Sequence, residues 1–170
     1  MAYIYKRGKK WAYRAYAGKD PITEKDKQVS KSGFLTKKDA QLAAALFERQ
    51  FHNDEYIQPS KITFNALSDD WEKHYLQTMK AKESSLRARK IALKHIKNEF
   101  GEIAIQKISK KAYQDTIDKL SKEFSTNYVS SIHTSANMVF EYAKENKLIK
   151  EVPTMDITLP KKKKTVADLE

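Results

Sequence analysis

Histidine, cysteine and paired carboxylates most often carry catalysis or hold a metal, and this sequence offers no usable set of them. The four histidines are far apart, and none pairs with another at a metal-ligand spacing: His52, His74, His95 and His133. Cysteine is absent, which excludes thiol catalysis, zinc–thiolate sites and disulfides. The acidic pair that stands out, Asp69 and Asp70, is expected to favour the start of a helix through its dipole. We expect no catalytic residue, no metal site and no cofactor in these 170 residues.

Cationic side chains make a different chemistry available, which is the binding of phosphate. Lysine and arginine number 33 against 22 acids, so the net charge is +11 and the isoelectric point is about 9.6. A domain this basic indicates a polyanionic partner, with nucleic acid ahead of a membrane surface. No apolar run approaches the length of a signal peptide core or a membrane span, so we expect an intracellular protein without membrane contact.

The first cation-rich region is the aromatic segment at the N-terminus. Alternating aromatic and polar residues predict strands, with Gly8 where a tight hairpin needs a glycine. Alternation places three candidates near one face of a sheet, namely Lys10, Arg14 and Tyr16, and leaves the other face to Trp11, Tyr13 and Ala15. A basic ribbon of this width fits the major groove of duplex DNA. The full set of DNA-binding candidates here is Lys6, Arg7, Lys9, Lys10, Arg14, Tyr16 and Lys31. The alternative is that these are solvated edge lysines that prevent aggregation.

The second cation-rich region lies between residues 80 and 97, where a single acid, Glu83, interrupts the run. Four cations recur every three or four residues, which aligns them in one stripe of a predicted helix: Arg87, Lys90, Lys94 and Lys97. A stripe of one sign repels itself unless an anion neutralises it, which favours contact with phosphates. The alternative is an ordinary solvated helix face.

Short hydrogen-bonding side chains gather at the start of the last predicted helix. Hydroxyl and amide groups of this size can reach phosphates or base edges, and the candidates are Thr126, Asn127 and Ser131. Helix capping and surface polarity explain them equally well.

Two kinds of structural unit are predicted to position these residues. Residues 1–55 read as a small α+β domain, a three-stranded antiparallel sheet with one helix capped by Thr36. Residues 56–62 read as a linker. Residues 63–158 read as an all-α domain of four helices, in which Ser84 and Ser109 cap the second and third. Residues 159–170 form a basic linker, and within it Lys161 and Lys162 are further DNA-binding candidates.

Several of these segments, in this order, resemble a known family. The stretch FEYAKENKLI at 140–149, with Pro153 and then LPKK at 159–162, resembles the end of the core-binding, SAM-like domain of phage-type tyrosine recombinases (integrases). Thr63-Phe64 opening a helix and Glu99-Phe100-Gly101 ending one match earlier landmarks of that domain. The front segments YKRGKKW at 5–11 and TKKDA at 36–40 are similar to the arm-binding, AP2-like domain of the same integrases.

This resemblance implies double-stranded DNA as the partner, with arm-type sites bound by the sheet domain and core-type sites by the helical domain. Other integrase protomers and an excision factor would be protein partners, in the cytoplasm and nucleoid of a bacterial host. A catalytic domain would follow the basic linker in the full-length recombinase, so this chain is expected to hold DNA during integration and excision of a phage or other mobile element without catalysing. The alternatives are a sequence-tolerant nucleic-acid-binding protein and a protein whose basic helices dock an acidic partner.

Overall fold

Two compact units make up the chain, Met1–Tyr56 and Ile57–Glu170. The structure, a computed structural model, describes residues 1–19, 25–57, 59–78 and 82–161. A three-stranded sheet with one helix is followed by four further α-helices, which confirms the predicted fold class. Among the described residues, no helix is both long and apolar enough to cross a membrane.

The first unit is an antiparallel sheet covered on one face by a helix. Its strands β1 (Tyr3–Arg7), β2 (Lys10–Lys19) and β3 (Asp26–Phe34) are ordered β1-β2-β3, and the helix is α1 (Lys37–His52). Gly8 has a φ of 64° in the β1–β2 hairpin, a left-handed conformation that glycine adopts without steric cost. The predicted cap at Thr36 is confirmed, since its hydroxyl accepts the Asp39 amide at 3.1 Å.

Aromatic and small residues fill the space under the sheet. The buried members of this core are Tyr13 and Ala15 of β2 with Ala44 and Phe47 of α1. Tyr56, which we predicted as the start of the linker, packs its ring 4.7 Å from Phe47. Its apolar ring therefore joins this core.

The second unit is a bundle of four α-helices, with a short 3-10 turn over Ile105–Lys107. The helices are α2 (Phe64–Thr78), α3 (Glu83–Phe100), α4 (Lys110–Glu123) and α5 (Thr126–Glu145). Ser109 caps α4 as predicted, because its hydroxyl accepts the Ala112 amide at 3.1 Å. The predicted cap at Ser84 is wrong: the N-cap residue of α3 is Lys82, two positions earlier, and it makes no side-chain cap.

Gly101 ends α3 for a reason that the sequence does not reveal. The amide of Asn65 donates to the Gly101 carbonyl at 3.0 Å, which ties the start of α2 to the end of α3. A β-carbon at residue 101 would collide with the Asn65 side chain and with the Lys97 carbonyl. The glycine is needed for this close approach rather than for a left-handed backbone, since its φ is −50°.

The segment after α5 folds back onto the bundle. Gln114 of α4 holds the backbone of Thr158 from both sides, accepting its amide at 2.7 Å and donating to its carbonyl at 2.9 Å. Thr154 is buried and donates to the Asn137 side chain of α5 at 2.5 Å. The chain beyond α5 is therefore pinned to two helices as far as Thr158.

Candidate nucleic-acid interface

The sheet face that does not carry α1 presents aromatic rings beside cations. Cross-strand pairing places Tyr3 opposite Arg14, and Arg14 in turn opposite Ser30, so these side chains share one face. Tyr5 lies two residues after Tyr3 on the same face, and the two rings stack 5.8 Å apart at 16°. Tyr3 is 68% exposed, and Arg14 is also exposed. This face is therefore open to a ligand.

Arg14 is held in place by its neighbours. Its guanidinium carbon lies 5.9 Å from the centroid of the Tyr5 ring, within cation–π range. The Tyr5 and Ser30 hydroxyls are 3.1 Å apart, and Ser30 donates its only hydrogen to the Tyr13 carbonyl at 3.2 Å. Tyr5 must then donate to Ser30, which fixes the ring under Arg14. The guanidinium is thus oriented on the sheet face before any ligand arrives.

The other predicted cations of this unit are exposed and have no carboxylate partner among the described residues. Arg7 and Lys10 face each other across the hairpin, with Lys9 in the turn between them. Over the part of the chain that the structure describes, none of the six predicted cations forms an ion pair: Lys6, Arg7, Lys9, Lys10, Arg14 and Lys31. No carboxylate that the structure describes neutralises their charge.

Three of the predicted sheet residues are arranged differently from the rest. The register pairs Lys6 with Trp11 and Lys31 with Tyr13, so both lysines lie on the side of the sheet that carries α1. Tyr16 alternates with Arg14 along β2, but its ring lies edge-on to Phe51 of α1 at 6.3 Å. The pairing is irregular between Tyr16 and Lys19, and this lets the ring reach the helix instead of joining Arg14.

The predicted cationic stripe on α3 is partly neutralised from inside the molecule. Lys90 lies 3.0 Å from Glu72 of α2, and Lys97 lies 3.0 Å from Asp69 and 3.6 Å from Glu72. The expectation that the whole stripe needs an external anion is therefore wrong for these two lysines. The expected dipole role of Asp69 is also wrong, because the first turn of α2 contains no acid and Asp69 bonds Lys97 instead.

The other half of the stripe faces outward. Arg87 and Lys94 are exposed and form no ion pair among the described residues. Ile91 lies between them on the same face and is 56% exposed, while Ala88 and Ser84 continue that face towards the start of α3. The result is a surface with an apolar centre and a cationic edge, and Glu83 lies at its end near the start of α3.

The N-terminal half of α5 packs beside this surface. Arg89 of α3 donates to Ser135 at 3.4 Å, and His95 bonds the Tyr128 hydroxyl at 3.1 Å. Ser131 lies between Tyr128 and Ser135 at helical spacing, so it borders α3. The predicted candidates Asn127 and Ser131 are exposed and Thr126 is half-buried, while the cap itself is Ser125, which accepts the Tyr128 amide.

One buried polar pair supports α5 from the opposite side. Tyr113 of α4 is fully buried and bonds Nδ1 of His133 at 3.1 Å. Burial raises the pKa of the Tyr113 hydroxyl, and burial also lowers the pKa of His133. Both groups are therefore held neutral near pH 7.

The predicted linker lysines contribute one described residue. Lys161 is exposed, while Lys162 lies outside the described residues.

Sequence analysis missed Tyr5, Ser30 and Arg89. The alternation of Tyr3 and Tyr5 could have indicated the aromatic face, but no local signal links Tyr5 to Ser30 across 25 residues.

In the described part of the chain, no group of three His, Cys, Asp or Glu side chains lies close enough together to bind a metal ion. The candidate surfaces of the two units consist instead of cations, aromatic rings and small polar groups. These are the side chains that contact phosphates and bases.

Comparison with known proteins assigns both units. Residues 3–51 match the family model described as an arm DNA-binding domain, and residues 63–121 match the model described as the N-terminal SAM-like domain of phage integrases. The chain belongs to the phage integrase family. The integrase of Staphylococcus phage L54a is 30% identical to this integrase chain over 125 residues, which cover 72% of the chain and 35% of the relative. A probable integrase of prophage ps2 in Lactococcus lactis is 29% identical over 157 residues, which cover 89% of the chain and 40% of the relative.

Solved structures agree on the fold. An integrase-like domain from Bacillus cereus superposes with a TM-score of 0.57 at 19% identity, covering 65% of this chain and 94% of that one. A lambda integrase dimer bound to a COC' core site gives a TM-score of 0.56 at 15% identity, covering 97% of this chain and 48% of that one. The integrase chain described here spans less than half the length of the curated relatives that it matches.

Proposed function

We propose that this chain holds attachment-site DNA for a tyrosine recombinase that integrates and excises a phage or other mobile element. The sheet unit binds arm-type sites, and the helical unit binds core-type sites. Strand cleavage then belongs to a catalytic domain outside these 170 residues, and the full-length protein is a site-specific recombinase. Other integrase protomers and an excision factor are its protein partners in a bacterial host, as the resemblance implies.

The observation that carries the proposal is the set of unpaired cations on the sheet unit. Six exposed lysines and arginines there have no carboxylate partner within the described ranges, which leaves an uncompensated positive field. Arg14 is oriented over Tyr5, and a fixed guanidinium can form two parallel hydrogen bonds to a guanine edge. We assign base reading to Arg14 and phosphate contact to Arg7, Lys9 and Lys10, while Lys6, Lys31 and Tyr16 lie to the side of that contact.

The helical unit supports a smaller contact. We assign it to Arg87 and Lys94 of α3, together with Asn127 and Ser131 of α5, because these side chains are exposed on adjoining helices. We also assign DNA contact to Thr126 at the start of α5 and to Lys161 after the bundle. Ile91 supplies an exposed apolar side chain that fits the methyl group of thymine.

A salt titration with duplex DNA tests this function. Binding of the chain to a duplex that carries the attachment-site repeats is measured by fluorescence anisotropy between about 50 and 200 mM salt. We expect the logarithm of the binding constant to fall with a slope of about −0.9 per neutralised phosphate. We also expect the attachment-site duplex to compete better than either RNA or a scrambled duplex. Equal competition by RNA would favour a sequence-tolerant nucleic-acid-binding protein, and a flat salt dependence would contradict DNA binding altogether.

A further inference from the structure

A groove between α2 and α5 has a chemistry opposite to that of the DNA-binding surface. It encloses about 180 Å³, and its walls are the aromatic rings of Trp71, Tyr75 and Tyr142 together with the thioether of Met138. Two glutamates from the C-terminal half of α5, Glu141 and Glu145, stand at its edge.

The aromatic walls are ordered by their own contacts. Trp71 and Tyr75 pack with ring centroids 5.0 Å apart, and His74 packs on Tyr142 at 4.9 Å. The Thr78 hydroxyl bonds His74 Nδ1 at 3.2 Å and fixes that ring. Trp71 is only 3% exposed and forms the floor, whereas Tyr75 and Tyr142 are half-buried. The ring faces are therefore in place without a ligand.

The two glutamates lack a counter-charge. Glu141 is half-buried and Glu145 is exposed, and neither forms an ion pair or hydrogen bond with any residue that the structure describes. Lys144, the cation next to them in sequence, pairs with neither. Like charges four residues apart on a helix repel each other, which destabilises α5 slightly unless a cation joins them.

We propose that this groove binds an arginine side chain presented by a second protein. A guanidinium is planar, stacks on aromatic faces and bonds carboxylates with two parallel hydrogen bonds, so it matches both the rings and Glu141 with Glu145. Met138 offers a flexible apolar wall to the aliphatic stem of such a side chain. DNA is excluded as the occupant, because the glutamates would repel its phosphates.

The location separates this groove from the proposed core-type contact. Asn127 and Glu141 are 14 positions apart on α5, which spans Thr126–Glu145, and this corresponds to about 21 Å along the helix axis. The helical unit can therefore engage a protein through one end of α5 while the other end faces DNA.

The test uses two small probes that differ in one charge. N-acetyl-arginine methylamide is titrated into the 170-residue chain, with N-acetyl-citrulline methylamide as its neutral isostere. NMR follows the indole N–H signals of the two tryptophans, Trp71 in the groove and Trp11 in the other unit. We expect the arginine probe to shift the Trp71 signal saturably, the citrulline probe to bind at least about fivefold more weakly, and Trp11 to stay unchanged.

Charge-only variants complete the test. Glu141→Gln with Glu145→Gln should weaken the arginine probe about fivefold, to the level of citrulline. The matched control, Glu123→Gln with Glu151→Gln, removes two exposed acids outside the groove and should bind the probe like the unchanged chain. Both double variants should bind duplex DNA equally well. Equal binding of the two probes, an unmoved Trp71 signal, or the same loss in the control variant would each overturn the proposal.

Discussion

The two units carry similar runs of cations but use them differently. In the sheet unit, Arg7, Lys10 and Arg14 have no acidic partner among the described residues. In the helical unit, Lys90 and Lys97 bond the carboxylates of α2 and join two helices. A basic stripe in a sequence can therefore stabilise a fold or remain available to a ligand, and the acids that pack against it determine which.

Removal of Arg14 should change the DNA affinity of one unit relative to the other more than any other substitution discussed below. We expect Arg14→Ala to weaken binding to an arm-type duplex by about 1–3 kcal/mol, or roughly 5- to 150-fold, because the guanidinium that we propose to read bases is lost. Binding to a core-type duplex should be unchanged, as measured by anisotropy on both duplexes. Arg49→Ala removes the same charge from the exposed end of α1 and is the control. Equal losses on both duplexes would contradict the division of labour between the units.

A matched pair of lysine variants on α3 tests the other side of the comparison. Lys97→Met should lower the free energy of unfolding by about 1 kcal/mol, because it removes the partner of Asp69 and one of the two lysines that neutralise Glu72, which is only 15% exposed. Lys94→Met should leave stability unchanged and weaken core-type binding about threefold, since that lysine forms no ion pair with any described residue. Urea unfolding and anisotropy measure the two effects. If both variants behave alike, the separation of structural and ligand-binding lysines on α3 fails.

Acidification should affect the helical unit more than the sheet unit. Because burial lowers the pKa of His133, the unfolded chain binds more protons than the folded one as the pH falls below the ordinary histidine pKa of about 6.5. The stabilising contribution of neutral His133 is complete above that pH and is lost as the pH falls through the lowered value. Thermal unfolding between pH 7.5 and 5 should show a falling Tm for the helical unit.

His133→Gln provides the control for this pH effect. Glutamine can still bond the Tyr113 hydroxyl but does not titrate. The variant should lose part of the pH dependence, and an unchanged pH profile would exclude His133 as its source.

The smallest expected effect concerns the residue that orients Arg14. Tyr5→Phe keeps the ring but removes the hydrogen bond to Ser30, so Arg14 loses part of its fixed platform. We expect binding to the arm-type duplex to weaken by about 0.5 kcal/mol, or roughly twofold, and binding to the core-type duplex to stay unchanged. Tyr3→Phe removes a hydroxyl from the neighbouring ring and should have a smaller effect. Equal losses from the two variants would show that the Tyr5–Ser30 bond does not orient Arg14.

Local patterns predicted the elements better than they predicted the site. The caps at Thr36 and Ser109 lie within three residues of their partners, so the sequence displays them directly. The partners of Lys97 and Tyr5 lie 28 and 25 residues away, and they meet only after helices or strands pack together. The pattern of residues in a single sequence does not indicate such long-range contacts. For the same reason, the stripe on α3 looked uniform in the sequence.

The grip of Gln114 on Thr158 has a mechanical consequence. Tension applied to the chain beyond Thr158 acts first on the hydrogen bonds of Gln114, because this side chain bonds the Thr158 backbone at 2.7 and 2.9 Å. The load passes directly into α4 and, through Thr154 and Asn137, into α5. We therefore expect force on this segment to be shared by two helices of the bundle, and we expect Gln114→Ala to let the segment detach from α4 at a lower force.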